Sequence, residues 1–85
     1  MKASDRRIQI NGRDCTLTRM EYDVYQWMQQ HRGNVVSRAS LLRNVWGYPG
    51  EADTRTVDMC VRRLRTKVGA GAIQTIYGKG YIWKL

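Results

Sequence analysis

At 85 residues the chain has room for one small domain and none for a catalytic domain with its own deep cleft. Fifteen Lys and Arg against seven Asp and Glu leave a formal charge of +8 and an isoelectric point near 10.1, which favours a polyanionic partner: DNA, RNA or an anionic membrane surface. There is no run of about 18 apolar residues to span a bilayer and no apolar signal stretch after Met1, which points to the cytoplasm.

A polar lead-in, residues 1–5, precedes two strands at 6–10 and 13–17 that flank Asn11-Gly12, the dipeptide best suited to a type I′ hairpin turn. Ile8 and Ile10 alternate with polar residues, as a half-buried strand requires. Thr18-Arg19-Met20-Glu21 reads as a capping box opening a helix to about His31, with Met20, Val24, Tyr25, Trp27 and Met28 on its apolar side and Gly33 as its stop. Val35-Val36 forms a short extended link, and Ser37 caps a second helix over 38–46 that carries Leu41, Leu42, Val45 and Trp46. A loop at 47–53 holds the sole proline, Pro49. Cys15 and Cys60 form no CxxC pair and His31 is the sole histidine, so the expectation is reduced structural thiols, no metal and no cofactor.

The third helix, 54–68, separates into two faces at 100° per residue. Val57, Cys60, Val61, Leu64 and Val68 fall within an arc about 100° wide, while Arg55, Arg62, Arg63, Arg65 and Lys67 occupy the rest against one acid, Asp58. Arg55, Met59, Arg62 and Thr66 form a stripe opposite Leu64, flanked by Thr56, Arg63 and Lys67 on one side and by Asp58 and Arg65 on the other. An ordinary solvated face mixes signs to gain i,i+4 pairs; these cations repel one another unless a polyanion is present. The reading is a helix anchored from behind, its guanidinium groups turned to solvent, of the shape that enters a DNA major groove. Arg62 and Thr66 are placed to reach base edges, Arg55, Arg63 and Arg65 to clamp phosphates, and Asp58 to hold Arg55 or Arg62 in position. Strands near 73–77 and 81–85 then flank a Gly78-Lys79-Gly80 turn with Lys79 at its tip. The whole is an α+β fold, a winged helix-turn-helix of three helices between an N-terminal antiparallel hairpin and a C-terminal hairpin wing, forming a single domain over 1–85.

Leu17-Thr18-Arg19-Met20-Glu21-Tyr22, Val36-Ser37-Arg38, Leu41-Leu42, Val45-Trp46-Gly47-Tyr48, Arg55-Thr56-Val57-Asp58, Arg63-Leu64-Arg65 and Ile76-Tyr77-Gly78-Lys79-Gly80-Tyr81 occur in order. Together they closely resemble the OmpR/PhoB-type DNA-binding domain of bacterial response regulators, from about residue 8 to 85. The resemblance implies recognition of double-stranded promoter DNA, as a dimer on tandem direct-repeat half-sites, by a domain that normally follows a phosphoacceptor receiver. No receiver precedes it in this sequence, so the expectation is an isolated effector fragment or a stand-alone regulator. The resemblance also implies that Ser37, Arg38 and Trp46 brace the DNA backbone, that Thr75 and Tyr81 touch it, and that Tyr48 and Glu51 in the 47–53 loop contact RNA polymerase. The sequence departs from the family in three places. Two strands, where relatives have four, fit before Thr18; Tyr77 replaces the wing arginine, leaving Lys79 as its substitute; and Cys60 stands where relatives often carry a histidine.

Each contact also has a plain packing role. Trp46 falls beside Leu42 on the core side, and alternation places Tyr77, Tyr81 and Trp83 together, giving Tyr81 a mixed core and phosphate role. Trp27 and Met28 read as core. Glu21 is explained by capping and has no second carboxylate or nucleophile beside it, so catalysis and a small-molecule substrate are not expected. A winged helix that binds RNA or a protein is the alternative, but RNA readers display stacking aromatics on an open surface, and the aromatics here take core-like positions.

Overall fold

The computed structural model describes residues 6–10, 12–48 and 53–85; the lead-in, Asn11 and 49–52, Glu51 among them, lie outside the described residues. Strands β1 (Arg6–Ile10) and β2 (Arg13–Leu17) pair antiparallel with Ile8 opposite Cys15 and Ile10 opposite Arg13, the register a two-residue connection requires. Helix α1 (Arg19–Gln30) opens on the expected capping box: Thr18 Oγ1 accepts from the Glu21 N–H at 3.3 Å, and Glu21 Oε1 accepts from the Thr18 N–H at 3.0 Å.

Ser37 Oγ accepts from the Ser40 N–H at 3.0 Å and caps α2 (Arg38–Leu41). The second helix does not stay regular to its end. Leu42–Trp46 is wound as a π-helical turn, closed by Gly47 at φ +77° and by the Tyr48 N–H donating to the Leu42 carbonyl at 2.9 Å. Helix α3 (Arg55–Val68) starts one residue later than the sequence pattern, and Asp53, ahead of it, accepts from the Arg55 N–H at 2.9 Å. Strands β3 (Ile73–Ile76) and β4 (Gly80–Trp83) form the wing and are shorter than expected. Val36 joins them as a third, one-residue strand: its N–H donates to the Tyr81 carbonyl at 2.7 Å and its carbonyl accepts from the Tyr81 N–H at 2.9 Å. The link before the second helix thus belongs to the wing sheet.

The core is built where the periodicities meet. Leu17, Val24, Met28, Leu41, Leu42, Val57, Val61, Leu64 and Ile73 are buried together, and Trp27, Val45 and Trp46 pack half-buried at its edge. All five apolar residues of the α3 inner arc are buried, so the helix is fixed from behind, and the rotation of its outer face is set by packing. Cys15 and Cys60 are both buried free thiols, and burial foremost pushes Cys60 up to about 11, which leaves it an inert apolar side chain.

Candidate nucleic-acid interface

Opposite the buried arc of α3, Arg55, Thr56, Met59, Arg62, Arg63 and Thr66 are all exposed. Met59, at 55% exposure, stands in the middle of the stripe with no core role. Arg62 and Arg63 have no acid partner among the described residues, and the Thr66 hydroxyl donates back to the Arg62 carbonyl at 3.1 Å, leaving its oxygen free to accept. Their free guanidinium groups, carried on one rigid helix, suit a polyanion.

Three cations differ from the sequence reading: Arg55, Lys67 and Arg65, the last bonded to the wing rather than turned to solvent. Arg55 Nε and Nη2 donate to Asp53 Oδ2 at 2.9 and 2.8 Å, so its charge is shared with the acid just ahead of the helix. The Arg55 side-chain hydrogen bonds hold the Asp53 carboxyl below its usual range. Lys67 turns away from the stripe: its Nζ donates to Glu21 Oε1 at 2.7 Å, and its backbone carbonyl accepts from Cys15 Sγ at 3.0 Å and Arg13 Nη2 at 3.4 Å. That ties the end of α3 to β2 and to the start of α1. Glu21, 2% exposed, is more than a cap. Burial raises its pKa, but the hydrogen bonds from Lys67 and Thr18 outweigh that and leave it lowered.

Asp58 holds neither Arg55 nor Arg62. Its Oδ1 accepts from the Tyr81 hydroxyl at 2.6 Å and its Oδ2 from Arg38 Nη1 at 3.5 Å. Seven residues on, Arg65 Nη2 donates to Thr75 Oγ1 at 2.8 Å while its guanidinium lies 5.9 Å from the Tyr81 ring centroid. Thr75 and Tyr81 are direct cross-strand partners. Positions 58 and 65 are two helical turns apart on one side of α3. The wing is therefore fastened to α3 at two points, through both of its strands, and Asp58 also steadies Arg38 at the start of α2.

Tyr77 does not share a face with Tyr81 and Trp83. The strand stops at Ile76, the Lys79 N–H closes a turn on the Ile76 carbonyl at 2.9 Å, and Gly78 takes φ +76°. The turn interrupts the alternation, so Tyr77 is 97% exposed beside exposed Lys79, while Tyr81 and Trp83 are buried. Ser37 spends its hydroxyl on the α2 cap, Trp46 is half-buried against the core, and Tyr48 is exposed. The Val36 bridge and the Asp53 clasp escaped the sequence reading; two β-branched residues before a serine cap were the single local sign of the first.

Burial foremost, and then the hydrogen bond to Asp58, push the Tyr81 phenol up to about 12. A raised pKa favours the protonated folded form, so this stabilisation is whole below the ordinary tyrosine value of 10 and is lost as pH rises towards 12. Chemical denaturation of wild type and Tyr81→Phe across that window should show wild type losing stability more steeply. Parallel pH profiles would remove the Asp58–Tyr81 bond from the account.

Residues 12–83 match the family described as "Transcriptional regulatory protein, C terminal". The chain is similar to the transcriptional regulatory protein PrrA of Mycobacterium tuberculosis, 39% identical over 84 aligned positions covering 94% of this chain and 36% of PrrA. Similarity to the response regulator ArlR of Staphylococcus epidermidis is 35% identity across 89% of this chain and 36% of ArlR, so the chain spans little more than a third of these relatives. The fold superposes on the Klebsiella pneumoniae RstA DNA-binding domain, solved in complex with the RstA box, with a TM-score of 0.83 at 26% identity, covering 99% of this chain and 94% of that one. This is a family of regulators, not of enzymes. With three helices, a fastened wing and these matches, the chain belongs to the OmpR/PhoB-type winged-helix domains found at the C-termini of transcriptional regulatory proteins.

Proposed function

We propose that this domain is the DNA-binding effector of a two-component response regulator and reads promoter DNA with α3 in the major groove and the wing against the adjacent minor groove or phosphates. The observation that carries this is the exposed, acid-free stretch of Arg62 and Arg63 on a helix whose opposite side is wholly buried. Arg62, Met59 and Thr66 face base edges; Arg38, Arg55, Arg63, Arg65 and Lys79 serve phosphates, with Thr56, Ser37, Trp46 and Thr75 beside them. Lys67 contributes through the long-range field, since its ammonium is paired with Glu21. Docking as a pair on tandem half-sites, and a contact from Tyr48 and the neighbouring loop to RNA polymerase, complete the proposal. Such a regulator works in the cytoplasm, on the chromosome.

Selection from a random duplex pool should return a recurrent motif repeated at about one helical turn. With roughly five phosphate contacts, log affinity for that site should fall against log salt with a slope of about −4 to −5. Arg62→Ala should weaken the selected site about tenfold or more and random DNA little, as a bidentate guanine contact requires, whereas Lys79→Ala should weaken both alike. A salt-independent affinity, or enrichment of structured RNA in a parallel pool, would overturn the proposal.

A further inference from the structure

Asp58 is the one acid on α3, and its charge runs against that of the helix around it. A bare carboxylate beside a DNA-facing surface repels phosphate. Arg62 stands four residues on, the spacing at which an acid and an arginine pair along a helix, yet the two do not meet. The carboxylate leaves its own helix instead. Its Oδ1 accepts from the Tyr81 hydroxyl on β4 at 2.6 Å, and its Oδ2 accepts from Arg38 Nη1 at the start of α2 at 3.5 Å. Three elements therefore converge on one carboxylate. The Arg38 and Asp58 side chains are 39% and 37% exposed, so solvent screens the ion pair and it adds little to the stability of the fold. What it does restrict is the guanidinium. Among the described residues Nη1 is the one Arg38 nitrogen with a partner, and Nε and Nη2 remain open to a second oxyanion.

We propose that Asp58 is a positioning residue for DNA binding: it holds the Arg38 guanidinium in the orientation in which its free N–H groups meet a backbone phosphate. This rests on the DNA-binding reading above and deepens it. The planar fork of an arginine bonds an oxyanion well only when aimed, and a long exposed side chain otherwise samples many rotamers that binding must freeze. A pair formed before DNA arrives removes part of that entropy loss. The carboxylate is fixed in turn by the Tyr81 hydroxyl, through the shorter of its two bonds. Tyr81 is itself held in the sheet by two backbone bonds to Val36, which lies two residues before Arg38. The path from Val36 through Tyr81 and Asp58 to Arg38 thus closes on itself. Because the phenol O–H already donates to Asp58, Tyr81 acts through the carboxylate rather than by donating to a phosphate.

Asp58→Asn separates positioning from plain charge repulsion by the sign of its effect. The exchange keeps the shape and an oxygen for the Tyr81 hydroxyl but removes the charge that orients Arg38. Electrostatics alone makes the domain more positive and tightens its grip on any duplex; loss of positioning weakens it. By fluorescence anisotropy, Asp58→Asn should bind the selected duplex and random DNA each about fivefold more weakly than wild type, with a salt slope shallower by about one, as for Arg38→Ala. In the Asp58→Asn background Arg38→Ala should weaken binding no more than about twofold, against about tenfold in wild type. Thermal melts establish that each variant is folded at the assay temperature. If Asp58→Asn is not, Arg38→Lys carries the test: it keeps the charge, loses the fork, and should weaken binding nearly as much as Arg38→Ala. Unchanged or tighter binding by Asp58→Asn, an undiminished Arg38→Ala loss in its background, or wild-type affinity in Arg38→Lys overturns the inference and leaves DNA binding standing. Wild-type affinity that ignores salt overturns both this inference and the reading beneath it.

Discussion

Replacing Gly80 with alanine is expected to cost the domain about 3 kcal/mol or more and to lower its melting temperature by on the order of 15 °C. Gly80 has φ +150°, a conformation side chains avoid, and an added Cβ would run into the Val36 carbonyl oxygen and stand 2.8 Å from Ser37 Cα. Both obstacles are backbone, so neither can swing aside. The intruding methyl would part Val36 from Tyr81, the bridge that makes the link before α2 a strand of the wing sheet. Gly78 is the control: φ +76° is strained for alanine, but nothing lies within 4 Å of the new Cβ, so Gly78→Ala should cost only about 1 kcal/mol. Thermal unfolding followed by circular dichroism checks both. A Gly80→Ala domain melting within a few degrees of wild type would show that the wing root is not packed as described.

The Arg62→Glu/Arg63→Glu double variant should bind the selected site at least about a hundredfold more weakly than wild type. Both side chains are exposed and form no ion pair among the described residues, so the exchange removes nothing the fold depends on. It deletes a base contact and a phosphate contact and puts two carboxylates against the groove. The same exchange at Lys67 should behave differently, lowering the melting temperature, because that ammonium is the partner of a buried carboxylate at 2.7 Å. Fluorescence anisotropy on the selected duplex, with a melt beside it, separates the two outcomes. Near-wild-type affinity in the double variant would move the reading surface off α3.

The features legible in the sequence are the ones governed by residues close together in the chain. The Thr18–Glu21 box and the Ser37 cap have fixed three-residue spacings, and the inner arc of α3 follows from a 3.6-residue period, so all three could be read directly. The contacts that aim the site join distant residues: Asp58 to Tyr81 spans 23 positions and Lys67 to Glu21 spans 46. No local pattern announces such pairs, and helical spacing alone matches Asp58 with arginines on its own helix. Tyr77 failed for a different reason. Period-two alternation holds only as far as Ile76, where the strand gives way to a turn and the rule no longer applies. The π-helical turn at Leu42–Trp46 likewise has no signature in composition.

Fastening the wing at its root, through Thr75 and Tyr81, leaves the hairpin beyond that cross-strand pair free of obligations to the rest of the domain, Gly80 apart. Positions 77 and 79, on either side of the Gly78 turn, thus behave as an interchangeable cartridge, and so do positions 59, 62 and 66 on the helix. A lineage carrying this scaffold can retune either reading head by point substitution without renegotiating its stability, which makes the chain a ready starting frame for regulators of altered sequence preference.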